Sequence, residues 1–347
     1  MGRQARRTVR RPLIPRVSFI LPIHNVEETL AETLDSLTAQ TFTDFDVLMH
    51  DDGSTDGTAA IALQLAENDR RFRLVGQRRV GLVEALCSSI RASDAEFLAR
   101  IDGDDIARPD RLEKQLALLS STDITACGAL VRSFSVGGTL GPGMKRYTDW
   151  LNEQVTAEQI DRAVFIESPL CHPSVTMRRD AYECSVGYTD DGHPEDYHLW
   201  LDFHARGFKM CKVPEVLLDW RDLSGRLTRT DPRYGPEKFL NLKRDYLLKT
   251  HLAPGEAAII WGAGKQGRRL SRALSDAGVE ITRFIDIDPA KIGRTVHGKP
   301  VSPIPASPQD IQGNLLLLAV GAHNARRLIE AHLLSIGCRP DRFVAVA

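Results

Sequence analysis

The sequence predicts an α/β protein, a large doubly wound sheet domain followed by a smaller doubly wound α/β unit. Three observations predict it. Short apolar runs alternate with stretches of helical periodicity from residue 17 to 101. The alternation fades and then restarts at residue 257. The length, 347 residues at 42% hydrophobic composition, exceeds what one ordinary core encloses.

Residues 17–23 (VSFILPI) read as a buried strand. Asn25 stands where it can cap a helix, and Leu30, Leu34 and Leu37 then mark one helical face. A second strand over 45–49 stops at Asp51-Asp-Gly-Ser-Thr-Asp-Gly57, a stretch dense in turn formers. A helix through Ile61 and Leu65, a strand at 72–75, a helix at 82–92 and a strand at 97–101 follow. Such alternation implies a mostly parallel sheet with helices on both faces, which binds ligands at the carboxyl ends of its strands. The acidic clusters at 51–56 and 102–105 fall at those ends. Residues 120–235 read as less regular, with 137–143 (GGTLGPG) expected to be a mobile loop. A helix over 239–252 leads to Ala253-Pro-Gly255. The expected division is a basic tail at 1–16, a first domain at 17–235, a helical linker at 236–254 and a second domain at 255–347. In the second domain, strands are expected at 257–261, 281–285, 315–320 and 343–346. Its helices follow residue 264 and begin again at Ala325.

Charge excludes some functions. The 45 basic and 46 acidic side chains nearly cancel, which gives no support for wholesale binding to nucleic acid. Arg3, Arg6, Arg7, Arg10, Arg11 and Arg16 crowd the start. They read as a solvated tail, or as an arm touching acidic lipid headgroups at the inner membrane face. No apolar signal region follows them, and no apolar run is long enough for a bilayer span. The six cysteines form no Cys-x-x-Cys pair, so reduced thiols in a cytoplasmic protein are expected.

Asp102-Gly103-Asp104-Asp105 carries the sharpest chemistry. Three carboxylates at the end of an apolar strand repel one another, and clustering them calls for a cation. Hard oxygen ligands suit Mg²⁺ or Mn²⁺ with substrate phosphates. An acidic surface turn is the plain alternative. Glu195-Asp196 follow Pro194 in the first turn of a helix, where acids can simply complement the dipole. His172 before a proline reads on its own as a turn residue. Gly262-x-Gly264-x-x-Gly267 lies between a strand and a helix, with Asp286 beyond it. These glycines permit close approach of a phosphate, and Asp286 is placed for a ribose hydroxyl, which makes a candidate second nucleotide site. A scaffolding role for this short unit is equally open.

Five motifs in order carry a resemblance: residues 17–25 (VSFILPIHN), 51–58 (DDGSTDGT), 102–112 (DGDDIARPDRL), 171–174 (CHPS) and 195–200 (EDYHLW). Together they resemble family 2 glycosyltransferases of the GT-A fold over roughly residues 17 to 225. The resemblance implies a GT-A nucleotide-sugar-binding domain followed by a Rossmann-like domain. It implies inverting hexosyl transfer from a nucleotide-sugar, a UDP-sugar being expected, to a hydroxyl of a saccharide or lipid-linked acceptor. Polysaccharide or glycan biosynthesis with Mn²⁺ or Mg²⁺ is the implied setting. Pro22 and Asn25 would lie at the donor, Asp52 would accept a hydrogen bond from the base, and His172 would sit near the sugar. Asp104 would bind the metal, with Asp102 at the ribose or bridging. Asp196 would be the catalytic base beside Glu195. The chain departs at Cys87, where many relatives carry Asn. It lacks a Gln-x-x-Arg-Trp motif, so a processive synthase is not expected. Trp220-Arg221 and Arg226 can meet phosphate, or be ordinary surface arginines. The run 284–301 resembles nucleotide-sugar-binding domains of sugar acyltransferases. A dehydrogenase or epimerase built on the second domain would need a Tyr-x-x-x-Lys pair that is missing. A non-catalytic nucleotide-sugar-binding protein would not need the acidic set.

Overall fold

The computed structural model describes residues 14–223, 225–322 and 324–347. The basic-tail reading of Arg3, Arg6, Arg7, Arg10 and Arg11 lies outside them. Arg16 is described, and it donates to Ser120 Oγ at 2.7 Å. Among the described residues no helix is long and apolar enough to cross a membrane.

The first sheet is built from β1 (Val17–Ile23), β2 (Phe45–Asp51), β3 (Phe72–Gly76), β4 (Phe97–Arg100), β5 (Ile106–Ala107), β6 (Ile124–Phe134), β7 (Thr176–Arg178) and β8 (Lys209–Arg221). Its spatial order is β3-β2-β1-β4-β7-β6-β8-β5. The first four strands are parallel, as the alternation predicts. The other half departs from it, because β7 runs antiparallel to both β4 and β6, and β5 antiparallel to β8. The helices around this sheet are α1 (Leu30–Thr38), α2 (Thr58–Asn68), α3 (Leu82–Arg91), α4 (Arg111–Ser121), α5 (Pro142–Glu153), α6 (Ala157–Ala163), α7 (Arg179–Cys184), α8 (Glu195–Ala205), α9 (Leu227–Thr230) and α10 (Pro236–Thr250).

Several local expectations need correction. Asn25 does not cap α1, which starts only after Thr29. Asn25 instead has a left-handed backbone (φ 50°) and points its amide oxygen at the Thr55 N–H, 2.9 Å away. The middle is not irregular. It holds the two longest strands, β6 and β8, which pair in parallel. Gly137–Gly143 is not one loop, because Pro142 and Gly143 open α5 with the proline in its first turn, where a missing N–H costs nothing.

β1 shows why apolar runs become central strands. Val17, Phe19, Leu21 and Ile23 enter the core on one face, and Ile20 joins Leu48 and Leu98 on the other. Its ladder with β4 ends at Ile20, so Pro22 sits beyond the last place where that neighbour needs an N–H.

The second sheet comprises β9 (Ala257–Trp261), β10 (Ile281–Ile285), β11 (Thr295–Val296), β12 (Lys299–Ser302), β13 (Asn314–Leu318) and β14 (Phe343–Ala345). Its order is β11-β12-β10-β9-β13-β14, parallel except for the β11–β12 pair, with helices α11 (Lys265–Asp276) and α12 (Ala325–Ser335). α10 is more than a connector. It packs on α8 and α11, and one apolar cluster runs from Leu98 and Trp200 through Leu247 to Ile260 and Leu270. Lys243 on α10 donates to the Ile166 carbonyl at 2.6 Å, and Lys249 pairs with Asp202 of α8 at 3.1 Å.

The glycine-rich turn after β9 is a packing device. A β-carbon on Gly267 would lie 1.9 Å from the Gly262 carbonyl oxygen, whereas one on Gly264 would meet nothing within 4 Å. Gly267→Ala is therefore expected to destabilise the protein by about 3 kcal/mol, the upper range for overpacking. Gly264→Ala should stay within about 0.5 kcal/mol of the parent. Urea denaturation distinguishes them, and equal stabilities would contradict the close contact.

Candidate active site

The cleft lies at the carboxyl ends of β1, β2 and β4. On the β2 side, Asp51 Oδ1 accepts the Ser54 N–H at 2.9 Å and closes the turn. Asp52 is buried, and its Oδ1 accepts the N–H groups of both Val80 and Gly81, the latter at 2.8 Å. One carboxylate oxygen thus pins the 79–81 segment under the cleft. Asn25 ties the end of β1 to the same 51–58 turn. Pro22 is buried in β1 opposite His50.

On the β4 side the chain turns sharply at Gly103. A β-carbon there would come within 3.1 Å of the Ile23 and Val26 side chains, so glycine lets the acidic turn close against β1 without displacing them. Asp102, Asp104 and Asp105 each offer an oxygen, and these lie within 4.8 Å of one another. Burial, and then the negative charge of Asp102, push the Asp104 carboxyl up to about 6. Asp105 is 1% exposed, and burial followed by repulsion from Asp104 and Asp102 holds its carboxyl well above the usual range. Its Oδ1 accepts the Arg221 N–H at 2.9 Å, while its buried Oδ2 has no partner among the described residues.

Two arginines hold this turn in place. Arg100, the last residue of β4, is 3% exposed and donates to Asp102 Oδ1 at 2.6 Å. Arg111, in the first turn of α4, is wholly buried and donates to the Arg100 carbonyl at 2.7 Å and to Gln115 Oε1 at 3.2 Å. Gln115 reaches on to the carbonyls of Cys127 and Ser174, so the arginine of 102–112 fastens the acidic turn to β6 and to the segment leading into β7.

The third component is the start of α8. Glu195 is 2% exposed and accepts the Tyr234 hydroxyl at 2.8 Å. Burial raises its pKa. Asp196 keeps part of its surface open, and its Oδ1 accepts the Tyr197 N–H at 2.7 Å. Burial, and then the charge of Glu195, push it up to about 8. The charge of the Arg100 guanidinium counters both shifts. His172 is buried, with Nε2 2.7 Å from the Tyr188 hydroxyl and Nδ1 3.8 Å from Glu195. Burial, and then Arg100, hold its pKa well below the usual imidazole range. It lies between Tyr188 and Glu195.

The structure thus brings Asp102, Asp104, Glu195, Asp196 and His172 around Arg100, and puts Pro22, Asn25 and Asp52 on the neighbouring strand ends. Gly262, Gly264, Gly267 and Asp286 lie apart, on the second sheet. There Asp286 already accepts the Ala263 N–H at 2.9 Å, the Asp288 N–H at 3.0 Å and Lys291 Nζ at 3.0 Å. Cys87 turns its thiol towards Tyr182 and the Tyr188 carbonyl. Sequence reasoning missed Arg100, Tyr188 and Tyr234. For Arg100 a signal existed, since a cation ending an apolar strand two residues before an aspartate needs a buried partner.

Comparisons with known proteins agree with this geometry. Residues 18–185 match the model of glycosyl transferase family 2. The putative glycosyltransferase EpsE of Bacillus subtilis is 31% identical over 228 residues, 63% of this chain and 78% of that protein. The amylovoran biosynthesis glycosyltransferase AmsE of Erwinia amylovora is 28% identical over 59% of this chain and 75% of its own. The crystal structure of S. aureus TarS 1–349 in complex with UDP-GlcNAc superposes with a TM-score of 0.53 at 18% identity, covering 75% of this chain and 71% of that one. That similarity places the large sheet in the GT-A fold, and with the relatives and the family model it shows that the chain belongs to the family 2 glycosyltransferases.

Proposed function

We propose that the chain transfers a hexosyl group from a UDP-sugar to a hydroxyl of a saccharide or lipid-linked acceptor, with inversion, in polysaccharide or glycan assembly. One observation carries the reading. An acidic triad suited to a cation and a carboxylate pair of raised pKa share one cleft, with a buried arginine between them. The UDP-GlcNAc complex of TarS, a protein of the same fold, and the amylovoran role named for AmsE support the donor and the pathway class.

Asp102, Asp104 and Asp105 fit a hard divalent cation, since their oxygens cluster and the buried Asp105 Oδ2 has no protein partner. Asp104, with its neighbours beside it, would hold Mn²⁺ or Mg²⁺, and the ion would supply positive charge against that developing on a departing diphosphate. Asp52 and Pro22 border the space for the nucleoside. Asp196 takes the proton of the acceptor hydroxyl as that oxygen bonds to the anomeric carbon. The bond from that carbon to the diphosphate breaks, and its electron pair leaves with the phosphate oxygen. Glu195, deeper and fixed by Tyr234, tunes Asp196 by its charge. A base poised near neutral pH is the efficient kind.

Calorimetry with UDP-, GDP- and dTDP-sugars, with and without Mn²⁺, is the direct test. UDP-sugar binding that is tightest and strengthened by the ion is expected, and affinity unchanged by EDTA would refute the metal assignment. Without metal, Asp104→Asn should raise the melting temperature by roughly 2–4 °C, the scale of about 1 kcal/mol of relieved repulsion. The same variant should lose the further rise that Mn²⁺ gives the parent.

Asp196→Asn should leave donor affinity unchanged and cut transfer by about 10²-fold or more. Only the ionised carboxylate accepts a proton. The parent's kcat/KM should therefore rise with pH up to about 8. It should fall roughly tenfold per unit below that. An acid limb centred near 4, or near-parental transfer by Asp196→Asn, would move the base elsewhere.

A further inference from the structure

A groove of about 390 Å³ lies between the two units, away from the acidic turn. One wall is the segment that leads into α10, with Tyr234, Phe239 and Leu240, all only half-buried. The other is the carboxyl end of the second sheet, where Ala319 follows β13 and Val346 follows β14, together with the start of α11. The volume is in the range of small-molecule sites, and the carboxyl ends of parallel strands are where open α/β sheets bind ligands. Two of the lining rings also touch α8. The Tyr234 hydroxyl donates to Glu195 at 2.8 Å, and the Phe239 ring lies 5.3 Å from that of Tyr197, the neighbour of Asp196.

The charges along this groove are already committed. Arg269 pairs with Glu237 of α10, and Lys243 gives its Nζ to the carbonyls of Ile166 at 2.6 Å and Val346 at 3.4 Å. Glu167 adds a negative charge, and its Oε1 accepts the Ser168 N–H at 3.1 Å. Gln266, exposed at the second position of α11, brings an uncharged amide that both donates and accepts. A phosphate would have to compete for each of these cations, whereas a neutral sugar ring needs none. A sugar asks for an aromatic or aliphatic face against its C–H groups and for donors and acceptors of both kinds around its hydroxyls. The groove supplies both.

We propose that this groove is a second saccharide site, which holds an uncharged stretch of the glycan that carries the acceptor hydroxyl. The assignment rests on the glycan-acceptor reading above. It gives the second unit a part in that reading without any use of the 262–267 turn as a phosphate loop.

Binding of the full-length chain to an array of neutral and acidic bacterial glycans, with no metal or nucleotide added, tests the assignment. The parent should bind neutral glycans. Gln266→Trp, which fills the groove from an exposed position, and Phe239→Ala, which removes a ring, should each bind them about tenfold more weakly, the scale of one lost aromatic contact. Arg272→Trp, exposed on α11 outside the groove, should match the parent. UDP affinity with Mn²⁺ should be parental in all three. If Phe239→Ala lowers it, the ring serves the fold as well, and Gln266→Trp alone decides. A parent chain that binds no glycan would overturn the assignment, and so would parental glycan binding by Gln266→Trp or an equal loss in Arg272→Trp. Binding confined to acidic glycans would make the groove an anion site and overturn the saccharide class. Glycan binding that Gln266→Trp removes, in a parent that binds none of UDP, GDP and dTDP, would refute the donor reading and still support the groove.

Discussion

Arg100 resolves a charge problem that the rest of the cleft depends on. Five carboxylates converge at the end of β4 and the start of α8, and burial makes Asp104, Asp105, Glu195 and Asp196 costly to ionise. One buried guanidinium grips Asp102 and opposes the raised pKa values of Glu195 and Asp196. The position could not be filled by a neutral residue without leaving Asp102 uncompensated. Nor could it stand without Arg111, which holds the Arg100 carbonyl and ties the turn to the core. Burial pushes Arg111 itself down to about 10, a sign of how dry this support is.

The remaining excess of negative charge is what gives the site chemical potential. An acidic triad left partly uncompensated favours a divalent cation, and a carboxylate destabilised by its neighbour becomes a stronger base. The two ends of the cleft are thus opposite uses of one repulsion. On the function proposed above, a cation would relieve it near Asp104, and taking a proton would relieve it near Asp196. Tyr234 keeps Glu195 fixed so that its charge acts on Asp196.

The second unit shares core with the first rather than hanging from it. α10 lies between α8 and α11, so the helix carrying Glu195 and Asp196 is braced from the far side by the second sheet. Gly262 and Gly267 are accounted for by backbone contact, and Asp286 by three protein donors. A motif that resembles a phosphate loop can therefore persist for packing alone, and its glycines do not by themselves imply a ligand.

Much of the fold was legible because burial writes itself into local pattern. Runs such as 17–23 are apolar on both faces, which only a central strand needs, and the Asp-Gly-Asp-Asp turn announces itself by its charge. Even the arginine ending β4 could have been read as a buried cation awaiting its aspartate. The antiparallel half of the sheet could not be read, since β6 and β8 gain their places from each other and from β7 across long stretches of chain. Tyr234 is 39 residues from Glu195, and no local period records that they touch. The sequence by itself determined which residue types were available and which segments had to be buried. Tertiary structure alone decided which charges meet, because electrostatic energy depends on distance and local dielectric, and both are set only when distant strands pack.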